Sequence, residues 1–474
     1  MKSSIFKLFA ILFFIIFLDQ EAQSTELLDL PRCIEIGLSN AYSIKKQENS
    51  VKLYKAQLNS SYGNFLPTIE GGFNYLPYNK SYQQLVDMPE LLNPQGLRNY
   101  TYYTSQTTSK DATYYIRGSL NFFDGFANIS KLRSSLSQNK AAEDILKREK
   151  QQLVYEILKF YYQLMLDQEL LTIAEENFSL SKKNLEKISA KVKIGALSIS
   201  DLYQQDAKVS EFQLLSIQRS NAVAIDKVNI LNKIGFAQTD DLFEFTKVLF
   251  PNFSSIPLLD KNDLIKSAFI NRSDYLGKKH YSDAAKSNIT VSRSDLYPKV
   301  NLISQISANG SEATSYKINN TPYDVASQSN AIDMLFRNTS LLYGLEIKWK
   351  IFDGFTTNTN IQKSKLEYLN SLIELDETRN RIITEINILV ADYNSSIHKL
   401  KATESGLIAA NQAFSTVSER YNLGLADFTD LAESQAQLVK AKSERVQALY
   451  NMDFQTKVIS YYTGLLNPTS FSGN

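Results

Sequence analysis

The feature that most constrains this chain is an internal repeat that covers most of its length. The tetrapeptide Phe-Asp-Gly-Phe at 123–126 recurs 229 residues later at 352–355. At the same offset, Gly235 corresponds to Gly464, so more than a hundred residues align without a gap. A repeat of this length indicates that the chain contains two copies of one structural unit.

The repeat sets the predicted domain organisation. We expect a first repeat at 25–235 and a second at 260–464, joined by a linker or equatorial segment at 236–259 and followed by a tail at 465–474. Pro251 and Pro257, with little helical pattern around them, indicate the linker. Each repeat is predicted to run as helix, strand, long loop, strand, long helix, tight turn and helix.

Residues 1–24 have the pattern of a secretory signal peptide. Lys2 and Lys7 precede an apolar run, and small residues follow it at Ala22 and Ser24. The run ends at Asp19, which makes it shorter than the roughly 20 apolar residues of a spanning helix. We therefore expect cleavage near 22–24 and export of the rest of the chain.

Apolar residues then recur every seventh position in both repeats, which is typical of coiled coils. Proline is absent from 125–194 and from 354–423, so each segment is predicted to form one helix of roughly 100 Å. After a glycine turn, antiparallel helices are predicted at 198–234 and 427–463. The recurring residues are Ile157, Leu164, Leu171, Phe178, Leu185 and Val192, then Ile386, Tyr393, Leu400, Leu407, Phe414 and Tyr421.

Four segments alternate apolar and polar residues with the period of a strand. They lie at 65–76, 113–123, 298–308 and 340–352, with loops expected at 77–112 and 309–339. A soluble sandwich shows the same alternation, and periodicity alone does not separate the two folds. Aromatic residues near the strand ends favour a membrane barrel, and four strands leave open edges that lipid does not tolerate. The chain is therefore predicted to close its barrel with copies of itself.

Composition excludes several classes of function. The 51 Lys and Arg residues nearly balance the 50 Asp and Glu residues, which argues against a nucleic-acid partner. The sequence has two isolated histidines, His280 and His398, a single cysteine, Cys33, and no phosphate-binding glycine loop. We expect no catalytic site, no metal site and no cofactor, so the protein is predicted not to be an enzyme.

These motifs resemble the TolC-type outer-membrane factors over nearly the whole mature chain. The strand-to-helix junctions carry the resemblance, as do two turns that each lead into an Asp-Leu pair, at 201–202 and 430–431. The junction residues are Phe123, Asp124, Gly125 and Phe126 in the first repeat and Phe352, Asp353, Gly354 and Phe355 in the second.

The resemblance implies an α+β membrane protein. It would form a homotrimer with a twelve-stranded outer-membrane β-barrel, continued by a coiled-coil tunnel in the periplasm. The implied function is the passive exit duct of a tripartite efflux or type I secretion system. Implied partners are a periplasmic adaptor, an inner-membrane pump of the proton-driven or ABC type, and outer-membrane lipid.

The resemblance also implies roles for residues at the two tight turns. Gly195, Ala196 and Leu197 in the first repeat, with Gly424 and Leu425 in the second, would contact the adaptor. Asp430 and Glu433 would narrow the periplasmic mouth, where Glu433 replaces an expected aspartate. A polar lock would include Ser200, Asp201 and Tyr421. The position of its basic partner is Ala426, so we expect helix packing and other pairs to hold the mouth shut.

A second class of function shares the heptads. A periplasmic or surface coiled-coil scaffold or adhesin needs long helices but no membrane-spanning strands. Drugs, metal ions and polypeptides all leave through ducts of one architecture, so the sequence does not predict the cargo.

Overall fold

The computed structural model describes residues 26–87, 101–236, 243–248, 250, 259–325 and 330–468. The predicted signal peptide at 1–24 lies outside these ranges. The α-helices are α1 (Leu30–Asn40), α2 (Tyr42–Gly63), α3 (Ala127–Lys193), α4 (Ile199–Lys233), α5 (Lys261–Asn271), α6 (Ser273–Arg293), α7 (Ala331–Leu335), α8 (Thr356–Asn422) and α9 (Phe428–Tyr462). The strands are β1 (Glu26–Leu28), β2 (Thr68–Asp87), β3 (Thr101–Phe123), β4 (Phe243–Phe245), β5 (Lys299–Ile318), β6 (Thr321–Tyr323) and β7 (Thr339–Lys348).

Contacts divide the chain into two compact units. The first contains Met1–Tyr54, Asn139–Tyr281 and Ser371–Asn474, and the second contains Lys55–Gln138 and Ser282–Asn370. The long helices α3 and α8 each start in the second unit and end in the first. The N-terminal ends of both helices therefore belong to the unit that contains the sheet, and their C-terminal ends belong to the helical unit.

The first unit is built on the heptad residues of the long helices. Ile157 and Leu164 of α3, with Ile386 and Tyr393 of α8, are almost fully buried, whereas heptad residues nearer the turns are partly buried. Apolar residues at this spacing lie on one face of a helix, so burying that face holds the helices together. Neither α3 nor α8 contains an internal proline, and each continues for 67 residues.

The segment predicted as a linker at 236–259 contains a short strand. Within its described part, β4 pairs in parallel with β1, with Leu28 opposite Phe245. Tyr161 of α3 donates a hydrogen bond from its hydroxyl to the Thr246 carbonyl oxygen at 2.5 Å. This segment is therefore attached to the helices, and three residues were too few to show a strand period in the sequence.

The second unit contains an antiparallel sheet with the order β2, β3, β5, β7, to which β6 adds a short pairing with β5. The predicted loops at 77–112 and 309–339 were too long. β2 continues to Asp87, β3 starts at Thr101, and β5 continues to Ile318. Among the described residues β2 and β7 each pair on one side only, so the sheet has two open edges.

The two faces of this sheet differ in polarity. Pairing places Phe73 beside Tyr114, Ile116 beside Ile306, and Leu302 beside Leu345, so apolar side chains share one face. Along β5 these side chains are more exposed than the alternating polar ones, Asn301 and Gln305 for example. An exposed apolar face indicates contact with lipid or another apolar surface.

None of the helices in the described ranges combines the length and apolar character needed to cross a membrane.

Candidate functional site at the helical tips

The first tip joins α3 to α4 through a tight turn. Gly195 has a φ of 75°, a left-handed conformation that an L side chain rarely adopts. Its amide donates to the Val192 carbonyl oxygen at 2.9 Å, and the Ala196 amide donates to the Lys191 carbonyl oxygen at 2.9 Å. This pair of hydrogen bonds ends the helix in a Schellman motif, as a glycine after the last turn predicts.

The next helix begins with a capping box. The Ser198 hydroxyl accepts from the Ser200 amide at 3.0 Å, and the Asp201 carboxylate accepts from the Ser198 amide at 3.3 Å. The Ser200 hydroxyl accepts a hydrogen bond from Gln204 at 3.3 Å. Two residues of the predicted polar lock therefore have local partners that stabilise the start of α4.

The second tip repeats this geometry between α8 and α9. Gly424 also has a φ of 75°, and its amide donates to the Tyr421 carbonyl oxygen at 3.1 Å. The Leu425 amide donates to the Arg420 carbonyl oxygen at 2.8 Å, and the Arg420 guanidinium donates to the Leu425 carbonyl oxygen at 3.2 Å. Here the N-cap is Asp427, whose carboxylate accepts from the Asp430 amide at 2.8 Å.

Tyr421 connects the two hairpins. The Lys191 ammonium lies 5.9 Å from the centre of the Tyr421 ring, a cation–π contact between α3 and α8. Phe428, the first residue of α9, packs edge-on against the same ring with 6.5 Å between centroids. Burial, and then the nearby Asp201 carboxylate, raise the pKa of Tyr421. The phenol is therefore neutral at physiological pH and is packed where the hairpins meet.

The predicted mouth residues lie just beyond this contact. Asp430 and Glu433 are both exposed, and a spacing of three residues places them on one face of α9. Ala426 precedes the N-cap and has no polar side chain. Among the cations of the two tips, Arg420 donates to the Leu425 carbonyl oxygen and Lys191 lies over the Tyr421 ring. The predicted adaptor residues Ala196 and Gly195 are exposed, as are Gly424 and Leu425, whereas Leu197 is half-buried.

Sequence reasoning missed three residues of this site. Lys191 was not assigned a role, although it supplies the cation over Tyr421. Asp427 was overlooked as an N-cap, although aspartate three residues before an acidic residue is a usual start of a helix. Phe428 follows it directly and precedes the buried Leu431 by three residues, a helical spacing that could have identified it from sequence.

The two Phe-Asp-Gly-Phe junctions adopt one conformation. Gly125 and Phe126 have φ values of 70° and 69°, and the second copy has 65° and 66° at the matching positions. Asp124 accepts from the Asn128 amide at 2.8 Å, and Asp353 accepts from the Thr357 amide at 2.9 Å. In both copies the two phenylalanine rings pack edge-on, at 5.5 Å and 5.7 Å. The motif therefore turns a strand into a long helix and caps the helix.

Comparison with known proteins identifies the family to which this chain belongs. The family model described as outer membrane efflux protein matches residues 34–235 and 264–463, one segment in each repeat. The chain belongs to the outer membrane efflux protein family.

Individual relatives agree with this membership. Outer membrane efflux protein BepC of Brucella suis biovar 1 (strain 1330) is 21% identical over 388 residues, which cover 79% of this chain and 76% of BepC. Outer membrane protein TolC of Vibrio cholerae serotype O1 (strain ATCC 39315 / El Tor Inaba N16961) is 18% identical over 313 residues, or 64% of this chain and 65% of that TolC. The crystal structure of VceC from Vibrio cholerae matches with a TM-score of 0.71 at 15% identity, covering 92% of this chain and 96% of VceC.

The predicted TolC-type family is therefore confirmed, and with it the fold of a trimeric channel-tunnel. This outer membrane efflux protein resides in the outer membrane, with its helical tunnel in the periplasm, and it is the exit duct of an efflux system. Members of the family are channels that work with efflux pumps, not a family of enzymes. The alternative of a coiled-coil scaffold or adhesin has no support from these matches.

Proposed function

We propose that this duct is passive and receives its substrates from an inner-membrane pump through a periplasmic adaptor that docks on the two helical tips. The observation that carries the proposal is the repeated tip geometry. Each turn exposes a large apolar side chain just before its glycine, with Ile194 79% exposed and Leu423 74% exposed. Two equivalent apolar knobs per chain suit a partner that binds repeated sites around a trimer.

Adaptor contact would centre on Gly195, Ala196 and Leu197 at the first tip and on Gly424 and Leu425 at the second. Leu425 is itself exposed, so the second tip presents two apolar side chains close together. Small residues at the first tip allow a partner backbone to approach closely. We expect the same adaptor fold to engage both tips because their backbones match.

The periplasmic mouth would be formed by Asp430 and Glu433. Three chains would bring six carboxylates to one constriction, which attracts cations and repels anions. Asp201 belongs to the capping box of α4 and the Ser200 hydroxyl accepts from Gln204, so both have local partners. The closed state would therefore depend on the Lys191–Tyr421 contact and on Phe428 rather than on a basic partner at 426. Opening would then require the two hairpins to separate at Tyr421.

No energy-coupling chemistry is assigned to this chain. The pump, whether proton-driven or ABC-type, would supply the energy, and the same duct could serve efflux or type I secretion. The tips and mouth do not distinguish drugs, metal ions and polypeptides as cargo.

Ion selectivity tests the mouth. The reversal potential of channels in a planar bilayer, measured across a salt gradient, reports whether cations or anions pass. We expect cation selectivity that falls when Asp430→Asn and Glu433→Gln are combined. Glu444→Gln, further along α9, is the matched control and should leave the reversal potential unchanged. An unchanged potential in the double variant would place the constriction elsewhere.

A further inference from the structure

The short helix α7 packs on the sheet at a position that no part of the duct function explains. Ala331 and Leu335 are buried against Ala112 of β3 and Ala308 of β5. Small residues at 112 and 308 leave room for the helix. Position 310 must be glycine for the helix to fit, because a Cβ there would lie 1.8 Å from the Ala331 carbonyl oxygen. The sequence of the sheet is therefore adapted to hold α7.

Both ends of α7 have hydrogen-bond partners. The Asn330 side chain accepts from the Ile332 amide at 3.1 Å, which caps the N-terminus. At the other end the Asn338 amide donates to the Met334 carbonyl oxygen at 3.0 Å, and its side chain donates to the Asn309 carbonyl oxygen at 3.4 Å. The helix also covers a part of β5 that lies between its pairings with β7 and β6. These hydrogen bonds and contacts fix α7 on the sheet.

The face that carries α7 is the apolar face of the sheet. Ala112 and Ala308 have the same alternation as Tyr114, Ile116 and Ile306, which point to that face. The pairing Ile306–Leu341 continues the face onto β7. In an outer-membrane barrel an exposed apolar face of this kind contacts lipid. The helix therefore lies on the membrane side of the sheet.

Register gives its depth. Val300 pairs with Ile347 near the end of the sheet that leads into the long helices, and Ala308 lies eight residues further along β5. At 3.3 Å per residue and a tilt of about 40°, this is about 20 Å across the membrane, in a band about 25 Å tall. Because the long helices are periplasmic, α7 lies at the opposite, outer edge of the band.

The exposed surface of α7, together with the two residues that follow it, has two stripes. Ile332 and Phe336 are four residues apart and are 44% and 80% exposed. Asp333 and Arg337, also four residues apart, form an adjoining exposed stripe of opposite charges. One apolar and one charged stripe, side by side, are what a helix at a membrane–water boundary requires.

We propose that α7 is an interfacial anchor whose Ile332 and Phe336 insert into the outer leaflet of the outer membrane. Lipid is the occupant because α7 packs on the apolar face of the sheet, which contacts lipid in an outer-membrane barrel. The charged stripe would then face the headgroups and water. This anchor fixes the height of the barrel in the membrane at its outer rim, and it rests on the outer-membrane location but not on the proposed adaptor or mouth.

Tryptophan fluorescence tests the anchor in the intact trimer. The chain has one tryptophan, Trp349, so Trp349→Phe gives a silent background. Phe336→Trp is placed in that background and reconstituted into phosphatidylcholine vesicles with bromine either near the headgroup or near the chain ends. Leu345→Trp, on the lipid-facing side of β7, and Asp333→Trp, on the charged stripe, are the matched controls.

We expect brominated lipid to reduce Phe336→Trp emission, more with shallow than with deep bromine, and to leave Asp333→Trp nearly unchanged. Emission from Phe336→Trp that is blue-shifted but unquenched would mean that protein covers the stripe, and emission typical of water would mean that nothing does. Either result overturns the proposal, while quenching of Leu345→Trp shows that the barrel itself is inserted.

A second variant checks that the packing of α7 positions the anchor. Gly310→Ala collides with the Ala331 carbonyl and should displace α7, so shallow quenching of Phe336→Trp should be lost while Leu345→Trp stays quenched. Gly344→Ala, whose Cβ meets no atom within 4 Å, is the control and should keep the quenching. Quenching that survives Gly310→Ala would contradict the proposal.

Discussion

Gly195 and Gly424, which lie 229 residues apart in the sequence, have the same φ of 75° and end their helices with the same pair of hydrogen bonds. The two tips are therefore copies in backbone conformation as well as in sequence. Their flanking residues differ, since the first helix start is capped by Ser198 and the second by Asp427. The glycine is the shared requirement, because a left-handed residue is needed at this point of the turn.

Replacing the tip glycine should weaken the turn. Gly195→Ala places a Cβ in a left-handed conformation, which costs about 1–2 kcal/mol even though no atom lies within 4 Å. Hydrogen exchange of the tip amides should accelerate by roughly tenfold for a cost near 1.4 kcal/mol. Gly406→Ala, in the interior of α8 with no neighbour within 4 Å, should stabilise its helix by about 0.5–1 kcal/mol. Equal effects of the two substitutions would contradict this account.

Much of the helical unit could be predicted from sequence, and the outer part of the sheet could not. Helices α3 and α8 combine heptads with a terminal glycine, so pattern and stop signal agree. The strands beyond Leu76 are rich in Ser, Thr and Tyr on both faces, and a bulge between Leu76 and Asn79 breaks the alternation. Because neither face is apolar, the sequence has no alternation of apolar and polar residues there, and these residues were predicted to be loop.

The tertiary contacts of the site were also beyond the sequence. Lys191 and Tyr421 meet because two hairpins pack side by side, and no local pattern encodes that pairing. The same holds for α7, whose five residues are too few to show a helical period. Gly310 is visible in the sequence, but the reason for a glycine there is the packing of α7 on it, which only the structure shows.

Removing a buried arginine should destabilise the helical unit. Arg272 is 1% exposed, and its guanidinium donates to Asp274 at 2.7 and 3.1 Å and to Glu385 at 2.6 Å. Arg272→Met leaves two carboxylates without this partner and should lower the free energy of unfolding by about 3 kcal/mol.

The matched control for that change is Arg381. It is exposed, and its guanidinium makes only long contacts with the same two carboxylates, at 3.8 and 3.9 Å. Arg381→Met should cost less than about 1 kcal/mol. Denaturant midpoints followed by helix circular dichroism measure both. Similar losses for the two variants would show that burial of Arg272 is not the cause.

Stability should fall as pH rises through 6, in part because of a carboxyl pair between α3 and α4. Burial, followed by a hydrogen bond to Asp167, raises the pKa of Asp226 to about 6. Asp167 is itself held by Arg219 at 3.2 Å and by Gln163 at 2.6 Å. Because the folded pKa is higher than the unfolded value of about 3.9, the folded state binds the proton more tightly. The contribution of Asp226 is therefore complete below about pH 4 and is lost as pH rises to above 6.

Asp226→Asn should remove this dependence and stabilise the protein by about 1 kcal/mol at pH 8, with little change at pH 4. The comparison is of denaturant midpoints at the two pH values. Asp206→Asn, at an exposed site on the same helix, should leave the pH dependence as it is. If the Asp226 variant keeps the wild-type slope, the proton lies on another group.

A charged substitution should destabilise the protein on the lipid-facing side of the sheet and have little effect on the opposite side. Leu345→Arg on β7 places a cation on the apolar face and should cost about 2–4 kcal/mol near the midplane. Leu342→Arg lies on the opposite face, where it pairs with Gln305, and should be tolerated. Yield of folded trimer in outer-membrane fractions measures both, and equal yields would mean that the face of Leu345 does not contact lipid.

The most direct test of the central claim is single-channel conductance of the purified mature protein in planar bilayers, with its oligomeric mass determined on the same preparation. We expect a trimer that inserts and gives small, cation-selective openings. A monomer that stays soluble and shows no bilayer activity would contradict it.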